Sequence, residues 1–121
     1  MKAIGLTQYL PISDPRSLQD VEIDMPSPGG RDLLVKVEAI SVNPVDTKVR
    51  APKAQVEPTP RVLGWDAAGT VAAVGPEVTL FKVGDPVFAM MPQDWGAHAE
   101  KVALDQSLVV AKPAKLSMVE A

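Results

Sequence analysis

From Val21 to Met25 apolar and polar residues alternate without a break, the pattern of a strand with one buried face. Pro26-Ser27-Pro28-Gly29-Gly30 ends it, because proline lacks the ladder donor and glycine favours turns. A longer strand is predicted over Leu33–Val42. Its apolar positions fall at Leu33, Val35, Val37 and Ala39, then slip by one to Ile40 and Val42. Side chains alternate strictly along a strand, so such a slip predicts a bulge or a sharp bend. Pro44 opens a short helical or turn segment that ends near Arg50, and Ala51–Pro60, with three prolines, reads as a loop. Further strands are predicted over Gly69–Val74, Asp85–Met91, Ala97–Leu104 and Leu108–Ala111. Many short strands with frequent turn signals imply an antiparallel barrel or sandwich.

Composition narrows this further. Twelve prolines in 121 residues, spread along the chain, suit a sheet-rich domain with many corners rather than a helical bundle. The length fits one domain with a real core. A hydrophobic share of 46% and a charged share of 22% are ordinary for a globular protein. The net charge of −3, with no long basic run, gives no reason to expect nucleic acid or an anionic membrane as partner. No apolar run is long enough to span a bilayer, and the apolar part of Met1–Leu6 is too short for a secretory signal. Cysteine is absent, which excludes disulfides, thiolate catalysis and cysteine-ligated zinc and fits a reducing cytoplasm.

Ser117-Met118-Val119-Glu120 forms a capping box, the signature of a helix start. One turn of helix is not stable alone. The segment reads either as a frayed terminal turn or as the entry to a second domain.

Two segments are candidates for chemistry. Asn43-Pro44-Val45-Asp46-Thr47-Lys48 lies at the end of the longest predicted strand, where the apolar phase breaks. Asn and Asp flanking a proline often only close a turn through side-chain-to-backbone bonds. Gly64-Trp65-Asp66-Ala67-Ala68-Gly69 puts an acid two residues after a glycine, with small residues that let backbones approach closely. No helix is predicted after Gly69, so this is not a phosphate-binding loop. His98 is the only histidine, too few nitrogen ligands for a zinc site without cysteine.

Read together, Asn43-Pro44-Val45-Asp46 and Gly64 to Gly75 resemble the signature of the medium-chain dehydrogenase/reductase superfamily, in its zinc-independent, quinone-oxidoreductase-like branch. The resemblance covers nearly the whole chain. It implies a mainly β fold, a GroES-like partly open β-barrel with short helices, over residues 1–121. It implies that a nucleotide-binding Rossmann domain follows in cis. The parent would be a cytoplasmic homodimer of such two-domain chains, reducing a quinone or an activated enone or carbonyl with NADPH. Zinc-dependent relatives carry a metal-binding cysteine at the position of Asn43 and Gly-His-Glu at Gly64-Trp65-Asp66. Neither ligand position is kept here, so no metal is expected. The same resemblance makes Asn43 and Lys48 catalytic candidates and Asn43, Asp46 and Thr47 cofactor-binding ones. Trp65 and Trp95 become substrate-pocket candidates. Asp66 and Glu100 become structural ones, and His98 is not expected to be catalytic. Lys48 stands where many quinone reductases have tyrosine. It either stabilises developing oxygen charge or is simply solvated. The alternative is a free-standing barrel used as a binding or interaction module.

Overall fold

The computed structural model describes residues 1–92 and 96–121. Strands β1 (Lys2–Tyr9), β2 (Gln19–Glu22) and β3 (Asp32–Ser41) lead to helix α1 (Pro44–Val49). Strands β4 (Lys53–Val62), β5 (Asp66–Val74), β6 (Pro86–Met90) and β7 (Lys101–Asp105) follow, then a 3₁₀ turn (Gln106–Leu108) and β8 (Val109–Ala111). One sheet has the order β2-β1-β4 and the other β7-β3-β5-β6-β8. All pairings are antiparallel. The larger sheet curls into a half-barrel, so the expected mainly β, partly open barrel is the fold observed. Among the described residues no helix is long and apolar enough to cross a membrane.

The bend anticipated in the long strand is real. The β3–β5 register passes from Val37↔Gly69 to Ala39↔Ala68, leaving Glu38 as a bulged extra residue. The bulge is held from outside by Thr70, whose Oγ1 donates to Glu38 Oε1 at 2.6 Å. At Gly69 the two backbones come close enough that a Cβ would lie 2.0 Å from the Lys36 carbonyl oxygen.

The main core lies inside the half-barrel, where Leu33, Val35, Val71, Val87, Met91 and Leu104 pack together. Fully burying a side chain of this size contributes about 1.5–3 kcal/mol. A smaller cluster of Leu6, Tyr9 and Leu63, with Leu18 and Val49 against it, fixes α1 to the three-stranded sheet.

Four elements differ from the sequence expectation. The strand expected over Val21–Met25 lies earlier, at Gln19–Glu22, where Lys2–Gly5 of β1 pair with it. Lys2–Tyr9, for which the pattern predicts no strand, is the central strand of the smaller sheet. Lys53–Val62 is an edge strand rather than a loop. Its pairing with β1 jumps from Leu6↔Arg61 to Gln8↔Val56, so Pro58 and Pro60 fall where no ladder donor is needed. Tyr9 secures that irregular stretch: its hydroxyl donates to Glu57 and accepts from Arg61 Nη1 at 2.9 Å. Finally, β7 starts only at Lys101, because the residues before it leave the ladder to join the two sheets. Ile4 N–H donates to the His98 carbonyl at 2.8 Å, Glu100 N–H to that of Lys2 at 3.1 Å, and Val37 N–H to that of Glu100 at 3.0 Å.

Gly69→Ala should destabilise the chain by about 3 kcal/mol, since neither backbone can retreat without breaking the β3–β5 ladder. Gly29→Ala, where a Cβ would meet nothing within 4 Å, should stay within about 0.5 kcal/mol. Denaturant melts of the two variants check this contrast.

Candidate functional site

Past the Glu38 bulge, the end of β3 runs beside the start of β5, so that Ser41 faces Asp66 directly across the ladder. Asn43 follows in extended conformation, with φ −111° and ψ 159°. Ser41 and Asn43 are two residues apart, so both side chains reach the same side. The Asn43 Nδ2 donates to Asp66 Oδ2 at 2.6 Å and to Ser41 Oγ at 3.1 Å. The Ser41 hydroxyl donates in turn to Asp66 Oδ2 at 2.8 Å. The three side chains thus close a small ring around one carboxylate oxygen.

Asn43 also begins α1. Its N–H donates to Asp46 Oδ2 at 2.8 Å, a side chain reaching back to the cap from the third helical position. Pro44 at the first helical position needs no hydrogen-bond acceptor there. Asp46 is buried, only 4% exposed. Asn43 therefore ties two acids together, one through its backbone and one through its carboxamide.

Two hollows flank this junction. The larger, an open cavity of about 830 Å³, is lined by Asp46, Thr47 and Arg50 of α1, by His98 and Glu100, and by apolar residues of β1 and β3. On three of these lining residues a buried side-chain atom, Asp46 Oδ1, Arg50 Nε and His98 Nε2, has no partner among the described residues. Leaving such an atom unpaired costs about 1–3 kcal/mol. The smaller groove, of about 290 Å³, lies between Ser41 and Asp66 on one side and Phe88, Met90, Met118 and Val119 on the other.

The residues singled out in the sequence are thus sorted by the fold. Asn43 and Asp66 touch, and Asp46 is bound to the Asn43 backbone. Thr47 lines the larger cavity, while its Oγ1 donates to the Pro44 carbonyl at 2.7 Å. Lys48 is exposed and lines neither hollow. Trp65 is half-buried and lines neither hollow; its carbonyl accepts from Met91 N–H. Trp95 lies outside the described residues. Glu100 accepts from Lys2 N–H at 2.9 Å. His98 packs edge-on against Gly64, where φ is +104° and a Cβ would meet the imidazole Cδ2 at 2.5 Å.

Sequence reasoning missed Ser41 and Arg50. The spacing of Ser41 two residues before Asn43 was a usable signal. Arg50 carried none, since its tie to α1's surroundings, Nη2 donating to the Leu10 carbonyl at 2.7 Å, spans 40 residues.

A zinc ion does not fit the donor set at this junction. Asn43 turns its NH₂ towards Asp66, and among the described residues no three His, Cys, Asp or Glu side chains converge.

The capping box at Ser117 is formed. Ser117 N–H and hydroxyl donate to Glu120 Oε2 at 2.9 and 2.8 Å, Glu120 N–H donates to Ser117 Oγ at 3.3 Å, and Ala121 N–H already reaches the Ser117 carbonyl at 3.2 Å. This turn supplies Met118 and Val119 to the groove beside Asp66.

Comparison with known proteins gives consistent results. The profile of the alcohol dehydrogenase GroES-like domain matches residues 29–114. A zinc-type alcohol dehydrogenase-like protein of Staphylococcus epidermidis is 39% identical over 122 residues, covering 100% of this chain and 36% of its own. Among solved structures, the quinone oxidoreductase of Coxiella burnetii superposes with a TM-score of 0.88 at 32% identity, over 100% of this chain and 39% of its own. The Escherichia coli quinone oxidoreductase complexed with NADPH superposes with a TM-score of 0.80 at 28% identity, over 98% of this chain and 35% of its own. The chain spans about a third of the length of such relatives.

The C-terminal turn should respond to acid. The Ser117 N–H, and after it the Ser117 hydroxyl, holds Glu120 below the ordinary carboxylate range. A depressed folded-state value means that the cap's contribution is present above the unfolded value and is lost as pH falls through the folded one. Below about pH 4 the turn should fray, seen by NMR as loss of the Ser117 amide shift. A shift constant down to about pH 2 would show that the cap does not titrate there.

Proposed function

Because this chain belongs to the alcohol dehydrogenase GroES-like domain family, we propose that it is the substrate-side domain of an NADPH-dependent oxidoreductase acting on a quinone or an activated enone. The observation that carries this reading is the Asn43–Asp66–Ser41 ring at the mouth of the bent strand. It is a preorganised polar group beside two hollows, on a fold shared with a quinone oxidoreductase that holds NADPH.

We place a nucleotide-binding domain after this one in the natural polypeptide, as the lengths of the relatives suggest. No glycine-rich strand-to-helix turn for the pyrophosphate occurs in this chain, so that domain would hold most of the cofactor. Asn43, and Thr47 beyond it, would meet the nicotinamide end. When bound, NADPH would supply a hydride to the electrophilic carbon of the acceptor, a proton from solvent completing the reduction and NADP⁺ remaining. An acceptor already activated by conjugation needs no Lewis acid, which agrees with the poor fit to zinc. The residues of this domain then act through positioning and water exclusion rather than through acid–base chemistry.

The test uses the gene product in its natural length. It should oxidise NADPH in the presence of quinones or enones and keep its activity after dialysis against a chelator. Asn43→Ala should lower kcat/KM about 10- to 100-fold, the size expected for losing one preorganised polar contact, with an unchanged melting temperature. Asp46→Ala should instead lower stability by about 1 kcal/mol through the lost helix cap. Full activity of Asn43→Ala on every acceptor tried would remove the site from this strand end.

A further inference from the structure

Strand β3 is paired unequally on its two edges. Towards β5 the ladder runs to the strand's end, at Ser41↔Asp66. Towards β7 it stops at Lys36↔Lys101, and one further bond joins Val37 N–H to the Glu100 carbonyl. The residues that would continue β7, Ala97–Glu100, have turned away to bond to β1 and Leu63. Past Val37, among the described residues, no strand lies on this edge of β3. The larger hollow takes that place. Val37, Glu38, Ala39, Ile40 and Val42 all line it, whereas Asn43 and Asp66 do not. Side chains alternate between the two faces of a strand, so consecutive residues border one hollow only where it runs along the strand's edge. The apolar lining is bare as well: Ile4, Ile12, Ile40 and Val42 are 39, 69, 43 and 71% exposed. Apolar residues gathered in one place mark a surface that a partner covers, and an open strand edge calls for donors and acceptors too. A small apolar molecule supplies only the first, whereas an extended peptide supplies both.

We propose that the larger hollow seats a β-strand from the part of the natural polypeptide beyond Ala121, which pairs with the free edge of β3 at Ala39–Ser41 and covers Ile12, Ile40 and Val42 with apolar side chains at alternate positions. This rests on the reading that the natural polypeptide continues past this domain. Length supports an occupant in cis. The chain spans 36% of its Staphylococcus epidermidis relative and 39% of the Coxiella burnetii quinone oxidoreductase, so most of such a polypeptide lies outside these residues. A tethered strand meets the slot at a high effective concentration and needs little affinity of its own. A second copy is a poorer occupant. Its own β3 edge faces a wall made by β1 and Ala97–Glu100, so two such edges meet only if both walls are dismantled. The half-barrel is thus closed by residues distant in sequence, and the larger hollow is a seat for polypeptide rather than for substrate.

Three measurements on the natural-length protein test this. In the first, the photo-crosslinker p-benzoylphenylalanine replaces Val42 in one sample and Ile12 in another. Irradiation should join each, within one chain, to the same peptide from beyond residue 121, identified by mass spectrometry. Products of dimer size assign the slot to a second copy. Those products, products confined to residues 1–121, or no product at all overturn the proposal, as does a natural polypeptide that ends at Ala121. In the second, hydrogen exchange should be slow at every amide from Ala39 to Ser41. Alternate amides exchanging at the rate of exposed backbone would show the edge open and overturn the strand pairing, even where cross-links form. In the third, Val42→Asp should lower the melting temperature by about 5 °C or more, because it buries a carboxylate. Val56→Asp is the control, since Val56 is 64% exposed and lines neither hollow, and should shift it by about 1 °C or less. Equal shifts overturn the burial of Val42. Oxidation of NADPH by quinones or enones is scored separately: activity without the cross-link removes the strand and keeps the function, and the cross-link without activity does the reverse.

Discussion

The close approach of β3 and β5 at Gly69 is the constraint on which the rest of this structure depends. Only a residue without a Cβ lets the Lys36 carbonyl come so near. The Glu38 bulge one step further on uses that closeness to bend β3. The bend curls the sheet around the Leu33–Val71–Leu104 core and carries the end of β3 over the start of β5. Without it, Ser41 would not stand opposite Asp66 and Asn43 would enter α1 from a different direction.

The second structural joint is softer. The residues from Ala97 to Glu100 give up their place in the β7 ladder and bond to β1 on one side and β3 on the other. His98 is held there by contact with Gly64, whose left-handed φ leaves room for the ring. This stitch forms one wall of the larger cavity, so backbone bonds between two sheets, rather than side-chain packing alone, shape the space beside α1.

Electrostatics at the site are local and small in number. Asp46 is satisfied at one oxygen by the Asn43 N–H, and Asp66 at one oxygen by two neutral donors. Neither acid has a cationic partner within salt-bridge distance among the described residues. A site built in this way orients groups through hydrogen bonds and does not depend on a strong fixed charge. The relatives with zinc-type names share the fold, but the metal chemistry of such a name requires donors that this junction does not bring together.

Local pattern was enough for much of this. The one-residue phase slip in β3 marked the bulge because alternation is strict in a strand. Pro44 and Asp46 marked α1, and Ser117 with Glu120 marked the terminal turn, because caps act over three residues. Asn43 stood out because it follows the strand where the phase breaks. Tertiary structure decided the remainder. Lys53–Val62 is a strand because β1 offers an edge and Tyr9 clamps the interval around its prolines, which no local signal encodes. Lys2–Tyr9 is a strand because two partners flank it. Lys48 is turned to solvent and Asp46 inward by the way α1 packs its own Val49 against the Leu6–Tyr9–Leu63 cluster, a choice between helix faces that a six-residue segment does not make alone. The pairing of Asn43 with Asp66 joins residues 23 apart. Sequence determined which side chains were available for that contact, and only the folding of β3 against β5 decided that they would meet and which way the amide would point.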